Sequence, residues 1–250
     1  DAEAAAEEVP VDDDPATHSG AEGDAADAAL LAAGPEAGLA PGGRIGVVLA
    51  LFPPVDRPEV RARLGLDSFT LLAVGHLVPV KAQELAVAAL RHLPGVRLLI
   101  AGNGPNRQML VDLARAERVS DRVTLLGAVP QAALREYYGA ADALVLPSER
   151  EGWANVLLES MACGTPVVAS RVWGTPEVVA APEAGRLMEE RSAQGLADAV
   201  NALRADYPDR AETRRYAERF SWDETTAGQL QLFRSITAGT AQAACQGSPA

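Results

Sequence analysis

From residue 69 onward, short apolar runs alternate with stretches of helical period. "FTLLAVG", "VRLLIAG", "RVTLLG", "ADALVLP", "PVVAS" and "AGRLME" are brief runs rich in Val, Leu and Ile. Their length and bounding turn residues predict six buried strands. Between and after them, "QELAVAALRHL", "NRQMLVDLARAERV", "QAALREYYGA", "NVLLESMACG", "TPEVVAA" and "SAQGLADAVNALRAD" repeat apolar residues at spacings of three and four, which predicts helices. Two further helical stretches, "RAETRRYAERF" and "SWDETTAGQLQLFRSI", close the pattern. Upstream, "RIGVVLALFPPVD" (residues 44–56) reads as a short extended piece ended by Pro53 and Pro54. "RPEVRARLGL" has a proline near its start and a glycine near its end, as a short helix should.

Strict strand–helix alternation is the mark of a parallel sheet covered on both faces. Right-handed crossovers then favour an α/β, doubly wound, Rossmann-like sheet ordered 3-2-1-4-5-6. In that order strands 1 and 4 are neighbours, and the crevice between their carboxyl ends is where such sheets bind ligands. The loop after strand 1 is "GHLVPVK" (residues 75–81), and the loop after strand 4 is "SEREGWAN" (residues 148–155). The most distinctive polar residues of the chain therefore converge on the switch point.

Glu151, Asn155 and Glu159 are spaced by four, and the last two share a helix face. Carboxylates there accept hydrogen bonds from sugar hydroxyls, and the helix start suits a phosphate. Lys81, across the crevice, suits a pyrophosphate, against the alternative of an exposed surface lysine. His76 opens the same loop and is either a donor to the ligand or a histidine satisfied at a strand end. Gly104, in "AGNGP" after strand 2, permits a tight turn first and a close backbone approach to a ligand second. "LGAVP", with Val129, exposes backbone that reads a flat base or forms an ordinary turn. Trp153 and Trp173 are expected to pack rather than to stack on a sugar.

Composition narrows the partners. The formal net charge is -12, and no basic patch argues for nucleic acid. Residues 1–44 carry eleven acids against one base and no aromatic residue, leaving a nearly neutral remainder. That composition buries too little to order itself, so 1–44 is expected to be a disordered acidic extension, 45–238 the domain, and 239–250 a disordered tail. Cys163 and Cys245, the only cysteines, form no disulfide framework and have no metal-ligand spacing, which fits a cytoplasmic location. No apolar run reaches the ~20 residues of a membrane span, and the acidic start is unlike a signal peptide.

These strings together identify a resemblance. "VGHLVPVK", "LLIAGNGP", "VTLLGAVP", "ADALVLPSEREGWANVLLESMACGTPVVAS" and "GTPEVV" resemble the C-terminal half of retaining glycosyltransferases of family 4, which have the GT-B architecture. The Glu-x7-Glu element followed by "MACGTPVVA" is the most specific of them. The resemblance spans residues 46–236. It implies transfer of a sugar, with retention, from a nucleoside-diphosphate sugar to an acceptor hydroxyl, with no metal or other cofactor. It implies that Glu151 hydrogen-bonds the transferred sugar and that the backbone of Gly152, Trp153 and Ala154 closes on it. Asn155 and Val156 then face the diphosphate, Glu159 binds ribose, Lys81 binds the diphosphate, His76 assists it, and Val129 contacts the base through its backbone.

Three departures stand out. His76 occupies a position that is often arginine, Ala82 one that is usually glycine, and Val48 one that is usually aspartate. A complete member also has a preceding Rossmann-like domain of upwards of ~100 residues, which the 44 residues ahead of the match cannot form. The chain is therefore expected to need an N-terminal-domain partner chain or to self-associate through Trp222, Leu230, Phe233 and Ile236 of its last helix. Its acceptor is not named by the sequence. A non-catalytic nucleotide-sugar-binding module and a nucleotide-sugar epimerase are the competing readings.

Overall fold

The computed structural model describes residues 47–220 together with Thr226, Leu230, Gln231 and Arg234. The expected extension 1–44, the tail 239–250, and Trp222, Phe233 and Ile236 lie outside the described residues. Leu230 is helical and half-exposed.

Six parallel strands form one sheet: β1 (Thr70–Val74), β2 (Arg97–Ala101), β3 (Val123–Gly127), β4 (Ala143–Leu146), β5 (Val167–Ser170) and β6 (Gly185–Met188). Their order is β3-β2-β1-β4-β5-β6, as the alternation predicts. β1 is the hinge of the order: Leu71 and Leu72 register with Leu98 and Leu99 of β2 on one side and with Ala143 and Leu144 of β4 on the other.

The helices are α1 (Arg57–Leu64), α2 (Gln83–Ala89), α3 (Arg107–Ala116), α4 (Gln131–Ala140), α5 (Asn155–Ala162), α6 (Thr175–Val178), α7 (Ala193–Ala205) and α8 (Arg210–Ala217). Because strand side chains alternate, the sheet has two separate cores. Leu71, Ala73, Leu98, Ile100, Val145 and Val168 face α2, α3 and α7. Leu72, Leu99, Leu144, Leu146, Val167 and Ala169 face α1, α4, α5 and α8. That two-sided burial explains why the strands read as continuous apolar runs.

Local signals behave as chain chemistry dictates. Asp56 caps α1 by accepting from Glu59 N–H at 3.1 Å, and Gly65 ends it at φ 64°. Ser192 and Asp209 cap α7 and α8. Two expectations need correction. Residues 44–56 do not form an extended piece where described: Leu49–Leu51 is a single 3-10 turn, and Phe52 enters the core at 2% exposure. The two prolines that follow lack backbone donors, which disfavours continuing the segment as a paired strand. Trp173 does not pack either, since 52% of it is exposed.

Candidate functional site

The loops at the carboxyl ends of the strands are tied to one another through backbone. Gly102 N–H donates to Gly127 O at 2.7 Å, Leu77 N–H to Asn103 O at 2.9 Å, and Glu149 N–H to Val80 O at 2.8 Å. Gly104 serves this belt: a Cβ there would sit 2.5 Å from Leu77 O. The structural need for glycine at 104 is thus the packing of the β2 loop on the β1 loop.

The crevice between β1 and β4 holds one ion pair. Lys81 Nζ donates to Glu151 Oε1 at 2.7 Å, joining the two loops that the strand order makes neighbours. Glu151 is 8% exposed and Lys81 29%, so the lysine faces the open side of the pair. Lys81 ends a 3-10 turn (Pro79–Lys81), and Ala82 follows it at φ 48°, a left-handed conformation that favours glycine. That backbone geometry accounts physically for why alanine at 82 is a departure. Gln83, at the start of α2, donates to His76 O at 2.9 Å, which anchors the loop while the His76 residue stays exposed.

α5 begins at Asn155, which is exposed, and its N-cap is Ala154, which offers no side-chain acceptor. An uncapped helix start leaves N–H groups for a ligand anion. About one turn on, Glu159 Oε2 accepts from the buried Tyr138 hydroxyl of α4 at 2.8 Å. Burial pushes the Glu159 carboxyl above the ordinary carboxylate range, and the Tyr138 hydrogen bond partly offsets this. Burial and the neighbouring Glu159 raise the tyrosine well above its usual value as well. Tyr138 was missed in the sequence because "EYYGA" reads equally well as plain helix core. Only the packing of α4 on α5 shows which tyrosine meets Glu159.

Gly152 is exposed, and Trp153 turns inward with its ring 6.2 Å from that of Phe220. Val129 is half-buried on the loop after β3, separate from the β1/β4 crevice. The structure therefore joins Lys81 to Glu151 directly and Glu159 to Tyr138, and sets His76, Gly104 and Val129 on successive loops of the same belt.

This is a doubly wound, Rossmann-like domain whose candidate site lies at the sheet's topological switch point. The chain belongs to the glycosyl transferases group 1 family, whose model matches residues 56–220. A D-inositol 3-phosphate glycosyltransferase of Segniliparus rotundus is 39% identical over 212 residues, covering 79% of this chain and 47% of the relative. The same-named protein of Mycobacteroides abscessus is 37% identical over 198 residues, covering 75% and 44%. The chain thus spans about half the length of the curated relatives it matches. Among solved structures, sucrose-phosphate synthase from Thermosynechococcus elongatus superposes with a TM-score of 0.68 at 33% identity, covering 78% of this chain and 52% of that one. The C-terminal domain of a glycosyl transferase group 1 family protein from Francisella tularensis shares the fold, with a TM-score of 0.58 at 21% identity, covering 73% of this chain and 97% of that one. Among the described residues no helix is long and apolar enough to cross a membrane.

Proposed function

We propose that this chain is the donor-binding half of a retaining sugar transferase, taking a nucleoside-diphosphate sugar at the β1/β4 crevice. The observation that carries the reading is the Lys81–Glu151 pair beside the uncapped start of α5. A diphosphate arriving there shares the charge of Lys81. That loosens the lysine's hold on Glu151, whose carboxylate is then free to accept from sugar hydroxyls. As the sugar–diphosphate bond breaks, negative charge grows on the leaving group. Lys81 and the α5 N-terminus are already aimed at it, so they stabilise the transition state without reorganising, and no metal is required of the reading. Gly152, Trp153 and Ala154 close on the sugar through backbone, Asn155 and Val156 face the diphosphate, and Glu159 takes the ribose. His76, Gly104 and Val129 complete the donor contacts. Anabaena HepE has been solved in complex with UDP-glucose, and its fold at 23% identity is this one, so UDP-glucose is the first donor to try.

Transfer itself needs an acceptor and a wall opposite the crevice. The matched region is about half of the relative's length, and transfer requires the other half, in the same protein or as a partner chain; the competing reading is a non-catalytic binding module. A cytoplasmic location belongs to the same proposal. Calorimetry of UDP-glucose against the wild type and Glu159→Ala tests the donor reading. Binding should be present in the first and weaker by about 1–3 kcal/mol in the second, the cost of a lost charge-assisted hydrogen bond. Equal affinities would remove Glu159 from the site. Adding an N-terminal domain from a relative, in trans, should then switch on transfer.

A further inference from the structure

The loop after β5 carries an indole that the site description leaves without a task. Trp173 has a φ of 43°, one of three non-glycine residues in the left-handed region among those described. It occupies the turn closed by Thr175 N–H donating to Val172 O at 3.0 Å. An L-residue in that conformation is strained, and glycine would adopt it without that strain. Burial of the side chain normally offsets such strain, yet Trp173 is 52% exposed. The strain is therefore not offset by packing within the described chain.

Its location is specific. Gly174, the next residue, presses on the Glu151 loop: a Cβ at 174 would lie 2.6 Å from Gly152 O and 3.5 Å from the Trp153 ring. The β5 loop is thus seated on the backbone that follows Glu151, and it sets the indole one residue from that contact. The Thr175 hydroxyl, at the start of α6, is buried with no hydrogen-bond partner. An exposed indole on a loop seated against the loop that carries Glu151 is a combination suited to a saturated, hydroxylated ring, since C–H groups lie on the indole while hydroxyls reach polar groups of the adjoining loop.

We infer that Trp173 is a stacking platform for a pyranose or cyclitol ring at the rim of the crevice. This rests on the donor reading above and extends it to a residue outside the family strings. The ring belongs either to the donor sugar or to the acceptor, and binding measurements separate the two. Trp173→Gly is the variant of choice, because glycine suits the φ of this position and the fold should keep its thermal midpoint. Trp173→Phe retains a smaller aromatic face. Calorimetry with UDP, UDP-glucose and D-inositol 3-phosphate (the last with UDP present) reads the outcome. In Trp173→Gly, an affinity about three- to tenfold weaker for UDP-glucose, with UDP unchanged, assigns the platform to the donor sugar. The same loss for the inositol phosphate alone assigns it to the acceptor. In both cases Trp173→Phe should recover most of the binding. Unchanged affinities for both ring ligands overturn the inference, and so does an equal loss for UDP, which would place the indole against the base. If the wild type binds UDP-glucose and only Glu159→Ala weakens it, the platform fails while the donor reading stands. If the wild type binds neither UDP nor UDP-glucose, both fall together.

Discussion

The two ends of the sheet are built on opposite principles. At the amino end, arginines bind backbone carbonyls and converge on one largely buried carboxylate. Asp142, just before β4, accepts from Arg57 at 2.5 Å, from Arg61 at 3.0 Å and from Thr70 N–H at 2.7 Å. Arg210 donates to Gly139 O, Ala141 O and the Thr165 hydroxyl. Arg122 gathers the carbonyls of Leu90, Leu93 and Val96. At the carboxyl end the described ion pairs are Lys81–Glu151 and the exposed Arg171–Glu189, and polar groups are left over. Ser148 Oγ, Trp153 Nε1, Thr175 Oγ1, Gln83 Oε1 and Glu84 Oε2 are buried there without partners, against Arg57 Nε and Ser68 Oγ at the other end. A saturated network fixes a fold, because removing any member strands several others. An unsaturated one is what a ligand completes, and its cost in stability is carried by the rest of the domain.

The sharpest way to break this comparison is Asp142→Ala. It removes the shared acceptor of two guanidiniums and an N–H at once, and urea unfolding should show a loss of about 3–5 kcal/mol. A loss below about 1 kcal/mol would make the amino-end network no more than surface decoration. Lys81→Met is its counterpart at the other end. It should weaken UDP-glucose binding at least about tenfold, with a stability loss smaller than that of Asp142→Ala, because one pair is broken instead of a network of three donors. A drop in stability as large as that of Asp142→Ala would show that the Lys81–Glu151 pair is structural, and the contrast between the two ends would vanish.

Glu159→Gln sharpens the same point through pH. Burial raises the Glu159 carboxyl above its usual value of 4.5. A carboxyl raised on folding holds its proton more tightly in the folded chain, so its ionisation lowers stability. The penalty is absent below the ordinary value and is complete once pH has risen past the raised one. Thermal midpoints of wild type and Glu159→Gln should therefore agree near pH 4 and separate in favour of the variant toward pH 7, while its donor affinity falls. A variant that loses stability with rising pH as the wild type does would show that Glu159 is not the source. The smallest effect is expected from the acidic extension. A chain beginning at Gly43 should keep the parent's midpoint to within about 2 °C, because residues 1–42 have the composition of a segment that supplies no core. A larger fall would mean that the extension contributes to the domain.

Much of this molecule is written in local sequence. The six strands and their order follow from apolar runs that must be covered on both faces, and from the handedness of βαβ crossovers. The placing of Lys81 and Glu151 on adjacent loops follows from that order alone, and the 2.7 Å contact agrees with it. The helix ends at Asp56, Ser192 and Asp209 are equally local, since a cap needs only its own next three residues.

What the tertiary structure decided are contacts between elements far apart in sequence. Tyr138 meets Glu159 because α4 packs on α5, and nothing in "EYYGA" distinguishes it from Tyr137. Arg210 reaches the carbonyls before β4 from the start of α8, across some seventy residues. The partner that requires glycine at 104, the backbone of Leu77, comes from the loop after a different strand. Trp173 reads as a packing residue by type, but it sits in a turn at φ 43° and half of it is exposed. Periodicity reports which face an element buries. It does not report which side chain of a distant element arrives there, because that depends on packing that only the folded chain resolves.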